Sequence, residues 1–480
     1  MATQIREGYS YHKVFITKTT TIQPRNHPPL PHEGKIIQLS NLDRKCPVLM
    51  YLVFFYRSPP PPHQSLSPPS SSPLFPSLKR GLEEALCAWY PASGRLLLNP
   101  ATGKLDLSCT NSGALLAEAV TQVKISELGD LSQYNDFYEK LVYKPPSSSN
   151  FFDIPLVVAQ VTKMGCGGYA VGVGTNHSLF DGLANYEFLS AWASKVVGKM
   201  ELTEPVHERG RLLLSHSKIT TQQRGSKMST RISAFDHLHQ LIKQAAASVD
   251  SIDVVGKAEV ECKFAEMGSS SGQKHFFLKT FSLSSGMVEL LKCKARAGLG
   301  ATSCSSFEVV AAHLWKARTR ALGIAKNRIV CLQFTVDTRS RMDPPLPRGF
   351  TGNAFVLSSI SCTAEELEHQ TLSAIVEKIK EAKRSVNDDY IRTYLEALDA
   401  PQSSLPGLPE LTMVSDWSRT PYHKVDFGLG EAIYASPLVP PFQQVAYFMQ
   451  SPVQAGGVDV RIGLHQKHVA AFSHYFLAAL

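Results

Sequence analysis

Two mixed α/β domains of similar size are what this sequence predicts, on three observations. Strand-like and helix-like segments alternate in both halves, an irregular stretch separates the halves, and the 480 residues carry 43% hydrophobic against 19% charged side chains. That composition fills buried cores and is more than one small module uses. The charge balance is +8, from 49 basic and 41 acidic residues. It includes no basic run of the kind that nucleic-acid tails carry, so no nucleic-acid partner is expected.

Taken in order, the amino terminus MATQIREGYSYHKVF is polar and lacks the apolar stretch of a secretion signal. The longest apolar run, Val48 to Tyr56, is far short of the ~20 residues that a membrane helix needs and reads as a buried strand. Arg57 to Pro73 is rich in Pro and Ser and reads as a surface loop, because proline lacks a donor and fixes its own dihedral. Ser77 is the expected cap of a helix carrying Leu78, Leu82 and Leu86 on one face, after which Pro91 and Gly94 turn the chain into a strand from Arg95 to Leu98. Leu156 to Thr162 is an apolar strand, Gly165 to Gly168 a turn, Tyr169 to Thr175 a second strand, and a helix opens near Asp181.

Glu204 to Arg231 lacks apolar periodicity and is taken as the crossover between a domain over 1–203 and one over 232–480. Beyond it the same alternation returns. His275 to Leu283 alternates as a strand, and Ser284 or Ser285 caps a helix through Leu291. Ser305 with Glu308 is a capping box that opens a helix from Phe307 to Leu322. Thr363 with Glu366 is a second box, followed by Leu367, Leu372, Ile375, Val376 and Ile379 at helical spacing. No internal repeat is visible, and the last four residues match no peroxisomal or retention address.

The nine cysteines are scattered and form no CxxC pair. They read as reduced, mostly buried thiols of a cytoplasmic protein, without a disulfide framework or a zinc site. His465 and His468 stand three apart on a terminal helix with no carboxylate or cysteine partner, so they read as surface residues and no metal is expected. Gly165 to Gly168 is not a phosphate loop, since no Lys-Ser/Thr or GxGxxG follows the strand. Lys316, Arg318, Arg320, Lys326 and Arg328 read as a solvated helix face, with proximity to a phosphate-bearing ligand as the competing reading.

The candidate for chemistry is His177. It stands just past a strand, where a helix begins, and is projected out of the sheet as a general base requires. A bare His-x-x-x-Asp arises by chance somewhat less than about once in a chain of this composition, so His177 and Asp181 alone are weak evidence. Their company is more telling. It includes Ser415-Asp416-Trp417-Ser418-Arg419, Asp426-Phe427-Gly428-Leu429-Gly430, Val336-Asp337-Thr338-Arg339-Ser340-Arg341 and Gly352-Asn353, with Ser40-Asn41-Leu42-Asp43, Tyr90 to Arg95 and Cys166-Gly167-Gly168 upstream.

In this order these blocks resemble the plant BAHD family of CoA-dependent acyltransferases over nearly the whole chain. The resemblance implies two domains like chloramphenicol acetyltransferase, each a mixed sheet flanked by helices, with a reaction channel at their interface. It implies His177 as general base and acyl-CoA as donor substrate, with no permanently bound cofactor, no metal and no covalent acyl-enzyme. Asp181 is then a structural residue paired with an arginine, matched here by Arg339. Ser415 and Trp417 occupy a triplet that in hydroxycinnamoyltransferases of the family supplies donors to the developing oxyanion; a core tryptophan is the competing reading for Trp417, and Asp416 faces either solvent or a polar acceptor. Asp426, Gly428 and Gly430 belong to a loop held to be structural, and Leu429 replaces the usual tryptophan there.

The implied reaction is transfer of an aromatic, hydroxycinnamoyl-type acyl group to an alcohol by a cytoplasmic monomer of plant specialised metabolism. N-acylation, intramolecular lactonisation and a non-catalytic accessory role remain the alternatives. The residues that bind CoA are not assigned, and no membrane span is expected.

Overall fold

The computed structural model describes residues 13–25, 32–58, 74–146, 149–199, 203–213, 230–249, 276–297, 303–399, 407–439 and 442–478. The expected Pro/Ser loop from residue 59 onward, the crossover from 214 to 229 and Cys262 lie outside them. The strands in chain order are β1 (Val14–Ile22), β2 (Ile36–Ile37), β3 (Leu49–Tyr56), β4 (Arg95–Leu98), β5 (Leu105–Ser108), β6 (Ala114–Thr121), β7 (Val157–Lys163) and β8 (Tyr169–Asn176). They continue as β9 (Phe276–Leu283), β10 (Ile329–Asp337), β11 (Phe355–Thr363), β12 (Leu411–Asp416), β13 (Tyr434–Leu438), β14 (Val445–Gln450) and β15 (Val458–His465). The helices are α1 (Leu74–Ala88), α2 (Gly182–Val196), α3 (Ser233–Val249), α4 (Ser285–Arg296), α5 (Ser306–Ala321), α6 (Ala364–His369), α7 (Leu372–Arg384), α8 (Asp388–Ala397) and α9 (Gln466–Ser473).

The chain divides into two units, the first comprising 1–213, 346–354 and 420–439, the second 214–345, 355–419 and 440–480. Compared with the single crossover read from sequence, two later segments join the first unit, and the Asp426 to Gly430 loop is among them. The first unit holds a six-stranded sheet in the order β1-β6-β7-β8-β3-β13 and a small sheet β2-β5-β4. Its large sheet is mixed, β6 and β7 being parallel and the other neighbours antiparallel. Val53, Phe55, Tyr138, Leu141, Ala170 and Tyr434 share one of its buried clusters. Helices α1 and α2 are fastened together by Trp192, whose Nε1 donates to Leu78 O at 2.9 Å.

The second unit holds a six-stranded sheet in the order β11-β10-β12-β14-β15-β9, mixed in the same sense because β12 runs parallel to both neighbours. Helix α3 covers one face, with His237 Nδ1 2.7 Å from Ser359 Oγ. Helix α7 covers the other, receiving Ser358 Oγ on Ala382 O at 3.0 Å. The fold is thus the expected mixed α/β architecture in each unit.

Both capping boxes form: Ser305 and Glu308 open α5, and Thr363 and Glu366 open α6. Ser284 caps α4. Helix α1 begins at Leu74, ahead of the expected cap Ser77, because Leu74 and Phe75 are buried and Pro76 is tolerated in a first turn, where its missing N–H would have no intrahelical acceptor. The run after Thr363 is broken into α6 and α7, with Thr371 capping the second.

The basic cluster is a solvated face only in part, at the exposed Arg320 and Lys326. Arg318 is buried, donating to Pro409 O at 2.8 Å, Thr412 Oγ1 at 3.1 Å and Gln443 O at 2.9 Å, and burial lowers its pKa to about 10. Lys316 donates to the carbonyls of Glu368 and Gln370, and Arg328 pairs with Glu410 at 2.6 Å. Nor are the cysteines mostly buried: the described ones are free, but only Cys109 and Cys331 are buried, while Cys166 and Cys293 are exposed. No helix among the described residues is long and apolar enough to cross a membrane.

Candidate active site

In the first unit β8 ends at Asn176, and the chain makes a tight turn into α2. His177 N donates to Val48 O at 2.9 Å, Ser178 N to Asn176 Oδ1 at 2.9 Å and Leu179 N to Asn176 O at 2.9 Å. Asp181 caps α2, its Oδ1 accepting from Ala184 N at 3.0 Å, while its Oδ2 accepts from Ala354 N at 3.1 Å. Its carboxylate is buried and turned onto backbone, whereas the His177 side chain is half-buried.

A buried polar lattice that the sequence did not disclose supports this turn. Asp43 is fully buried, and its carboxylate accepts from Ser40 N at 3.0 Å, Ser40 Oγ at 2.7 Å, Arg209 Nε at 3.3 Å, Asn353 N at 2.9 Å and Asn353 Nδ2 at 2.9 Å. Asn353 Nδ2 also donates to His177 O at 2.7 Å. Arg209 continues the lattice to Leu179 O at 3.3 Å, His207 O at 2.8 Å and Thr351 Oγ1 at 3.2 Å, and its guanidinium lies over the Phe350 ring.

A side chain at Gly352 would meet Arg209, since a Cβ built there falls 2.5 Å from Nε. The segment 204–213, read as part of an irregular crossover, packs against this lattice, and Val206 bridges to Phe350. The Ser40 to Asp43 and Gly352-Asn353 blocks were visible as signatures, but nothing local showed that they meet or that Arg209 joins them.

Beside the lattice, His207 is buried between two partners. Its Nε2 lies 2.9 Å from Ala88 O and its Nδ1 2.9 Å from Thr351 Oγ1. Because a carbonyl only accepts, Nε2 carries the proton and Nδ1 is left as an acceptor beside the Thr351 hydroxyl, which also has Val206 O at 3.3 Å. Burial first, and the Arg209 charge among lesser causes, hold the pKa down to about 4.

In the second unit, β12 delivers Ser415 and Asp416 to opposite faces of the sheet, as strand alternation requires. Val414 pairs with Phe334, and Phe334 with Ser358, so Val414 and Asp416 face α7. Met413 pairs with Gln333, whose amide donates to Ala234 O, so Met413 and Ser415 share the face that α3 covers. Trp417 Nε1 donates to Ser415 Oγ at 2.9 Å. Asp416 Oδ1 accepts from Ser418 N at 3.0 Å and Ser418 Oγ at 2.6 Å; burial raises its pKa, against the opposing Ser418 bonds and the charges of Arg419 and Lys383. Asp416 is therefore half-buried on the face opposite Ser415. Arg339 donates to Asp337 Oδ2 at 2.6 Å within its own unit.

In the first unit again, Asp426 Oδ1 accepts the backbone N–H groups of Gly428 at 2.8 Å, Leu429 at 2.9 Å and Gly430 at 2.8 Å. Gly428 and Gly430 have φ of 84° and 80°, a region that glycine enters without strain. Phe427 is buried 4.8 Å from the Trp192 ring, and Val425 O accepts from Tyr56 Oη at 2.6 Å. His465 and His468 are half-buried rather than surface residues. His465 caps α9, and His468 Nδ1 lies 3.0 Å from Ala321 O. Among the described residues no group of three or more His, Cys, Asp or Glu is arranged to hold a metal.

The profile of the Transferase family matches residues 12–478. Brassinosteroid-related acyltransferase 1 of Arabidopsis thaliana is 46% identical to this chain, covering 97% of it and 98% of that protein. Omega-hydroxypalmitate O-feruloyl transferase of the same plant is 30% identical, covering 92% and 88% respectively. The crystal structure of vinorine synthase shares the fold with a TM-score of 0.68 at 19% identity, covering 97% of this chain and 98% of that one. A family match over nearly the whole sequence, together with full-length similarity to plant acyltransferases, means that this chain belongs to the Transferase family of BAHD acyl-CoA-dependent acyltransferases.

Proposed function

We propose that this chain transfers an aromatic, hydroxycinnamoyl-type acyl group from acyl-CoA to the hydroxyl of a small-molecule acceptor, with His177 as general base. The observation that carries the reading is the division of labour in the His177 to Asp181 turn. The Asp181 carboxylate is buried and engaged by backbone N–H groups, so the half-buried imidazole is the side chain of the motif suited to proton transfer. His177 takes the acceptor proton as the acceptor oxygen attacks the thioester carbonyl, the carbon–sulfur bond breaks from the tetrahedral intermediate, and the CoA thiolate recovers the proton from His177. Ser415 and Trp417 are assigned to the negative charge that develops on the carbonyl oxygen. Asp181 with Arg339, and the Asp426 to Gly430 loop, are assigned structural roles. A cytoplasmic, monomeric state belongs to the same proposal.

The similarity to a feruloyl transferase supports the choice of donor. The relative at 46% identity carries brassinosteroid in its name, and a further one at 29% identity is a fatty alcohol:caffeoyl-CoA acyltransferase, so a steroid alcohol joins ω-hydroxy fatty acids and fatty alcohols as first acceptors. The test is a matrix of pure protein with feruloyl-, caffeoyl-, benzoyl- and acetyl-CoA against these alcohols and an amine, read by product mass. An ester that appears with an alcohol and disappears in His177→Ala, with a loss of ~100- to 10,000-fold, supports the proposal. CoA release without an acceptor would instead indicate lactonisation, amide formation an N-acyltransferase, and undiminished turnover in His177→Ala a different base.

A further inference from the structure

We propose that Asn353 is a positioning residue for His177, a reading that rests on His177 being the base. The carboxamide has two N–H protons, and the structure uses both: one on Asp43 Oδ1 at 2.9 Å, the other on His177 O at 2.7 Å. Since His177 N donates to Val48 O at 2.9 Å, both backbone polar groups of His177 are held from outside its own turn. The direction of the Cα–Cβ bond, and with it the origin of the imidazole, follows from those two anchors.

The anchor is itself anchored. Asp43 is fully buried and keeps Asn353 in register through the backbone N–H as well as the amide. Its other oxygen accepts from Ser40 and Arg209, and Arg209 reaches Leu179 O two residues beyond His177. Ala354, next to Asn353, donates to Asp181. The turn is thus pinned at 177, 179 and 181 by one short segment and one guanidinium. The link nearest the base is a neutral amide, which orients the backbone without adding a charge beside the imidazole.

Loss of this anchor acts on the geometry of proton transfer and not on donor binding, and small misplacements of a reacting group lower rates by up to about 100-fold. Asn353→Ala is expected to lower kcat by about 10- to 100-fold while KM for acyl-CoA stays within about twofold. Trp192→Phe, which deletes another buried N–H to carbonyl bond in the same unit, is the stability control and keeps kcat. In a His177→Ala background, adding Asn353→Ala leaves the residual single-turnover rate within about twofold, because the group it positions is already absent.

If Asn353→Ala does not fold, Asn353→Ser replaces it, since a hydroxyl has one proton and cannot serve both Asp43 and His177. Wild-type-like kcat in the folded variant, or an equal loss with and without His177, overturns the proposal. Full activity in His177→Ala alone would overturn the general-base reading instead, so the two failures appear in different proteins.

Discussion

Ser415 and Trp417 are not equivalent donors once their mutual bond is known. The indole N–H is directed at Ser415 Oγ at 2.9 Å, so the serine accepts from Trp417 and keeps its own proton to give. In the proposed mechanism Ser415 is then the direct donor, and Trp417 polarises and orients it. Ser415→Ala is expected to lower kcat by ~100-fold, the usual scale for one oxyanion donor. Trp417→Phe, which keeps most of the ring and deletes the N–H, should lower it less. The double variant should be no slower than Ser415→Ala by more than about twofold, because residues acting as a unit are not additive. Steady-state kcat for the three proteins decides this, and independent, multiplying losses would return Trp417 to a separate role. Asp416 illustrates the same scale, since one step along a strand sends its carboxylate to the other face of the sheet.

At the scale of elements, the connection from β8 to α2 carries its own test. Asparagine caps a helix about as well as aspartate, so Asp181→Asn should retain the α2 cap and lose chiefly charge and one acceptor geometry at Ala354 N. Asp181→Ala removes the cap, worth about 1 kcal/mol, and leaves a buried N–H without its acceptor, worth about 1 to 3 kcal/mol more. The proposed pairing with Arg339 adds a further expectation. Arg339→Ala and Asp181→Asn should each lower the melting temperature, and together cost less than their sum, because either change alone already removes the proposed pair. Additive losses would rule the pair out and leave Asp181 as a cap alone. Much of this element was legible beforehand. The two strands, their glycine turn and the helix start are encoded by local alternation and one capping residue, and the structure places them within a residue or so of expectation.

For the whole molecule, acid stability has an identifiable contributor in His207, which ties the end of α1 at Ala88 to Thr351. Its folded pKa is lowered to about 4, while in the unfolded chain it returns to about 6.5. Between those values the unfolded state binds more protons, so stability falls as pH falls through the window from about 6.5 to 4. From pH 7 to pH 5 the expected loss from this one residue is about 2 kcal/mol, and it should be absent in His207→Gln, which hydrogen-bonds without titrating. Denaturant titrations of both proteins at the two pH values measure it. Identical pH slopes would show that His207 protonates as readily folded as unfolded.

Local physics encodes one part of this protein directly in its chain. Strand and helix periods, the boxes at Ser305 and Thr363, the capping aspartate at 181 and the α/β class all depend on residues a few positions apart. Long-range packing brings Asn353 to the carbonyl of His177, 176 residues away, and Asp43 to Asn353 across 310. It alone turned Arg209 and Arg318 inward, where composition reads arginine as surface. The reason is that a hydrogen bond between distant polar groups leaves no period or local spacing in the chain. Burial of such groups is stable because most of their donors meet acceptors, many of them brought by a separate segment, so the arrangement exists in the folded packing and nowhere in the linear pattern.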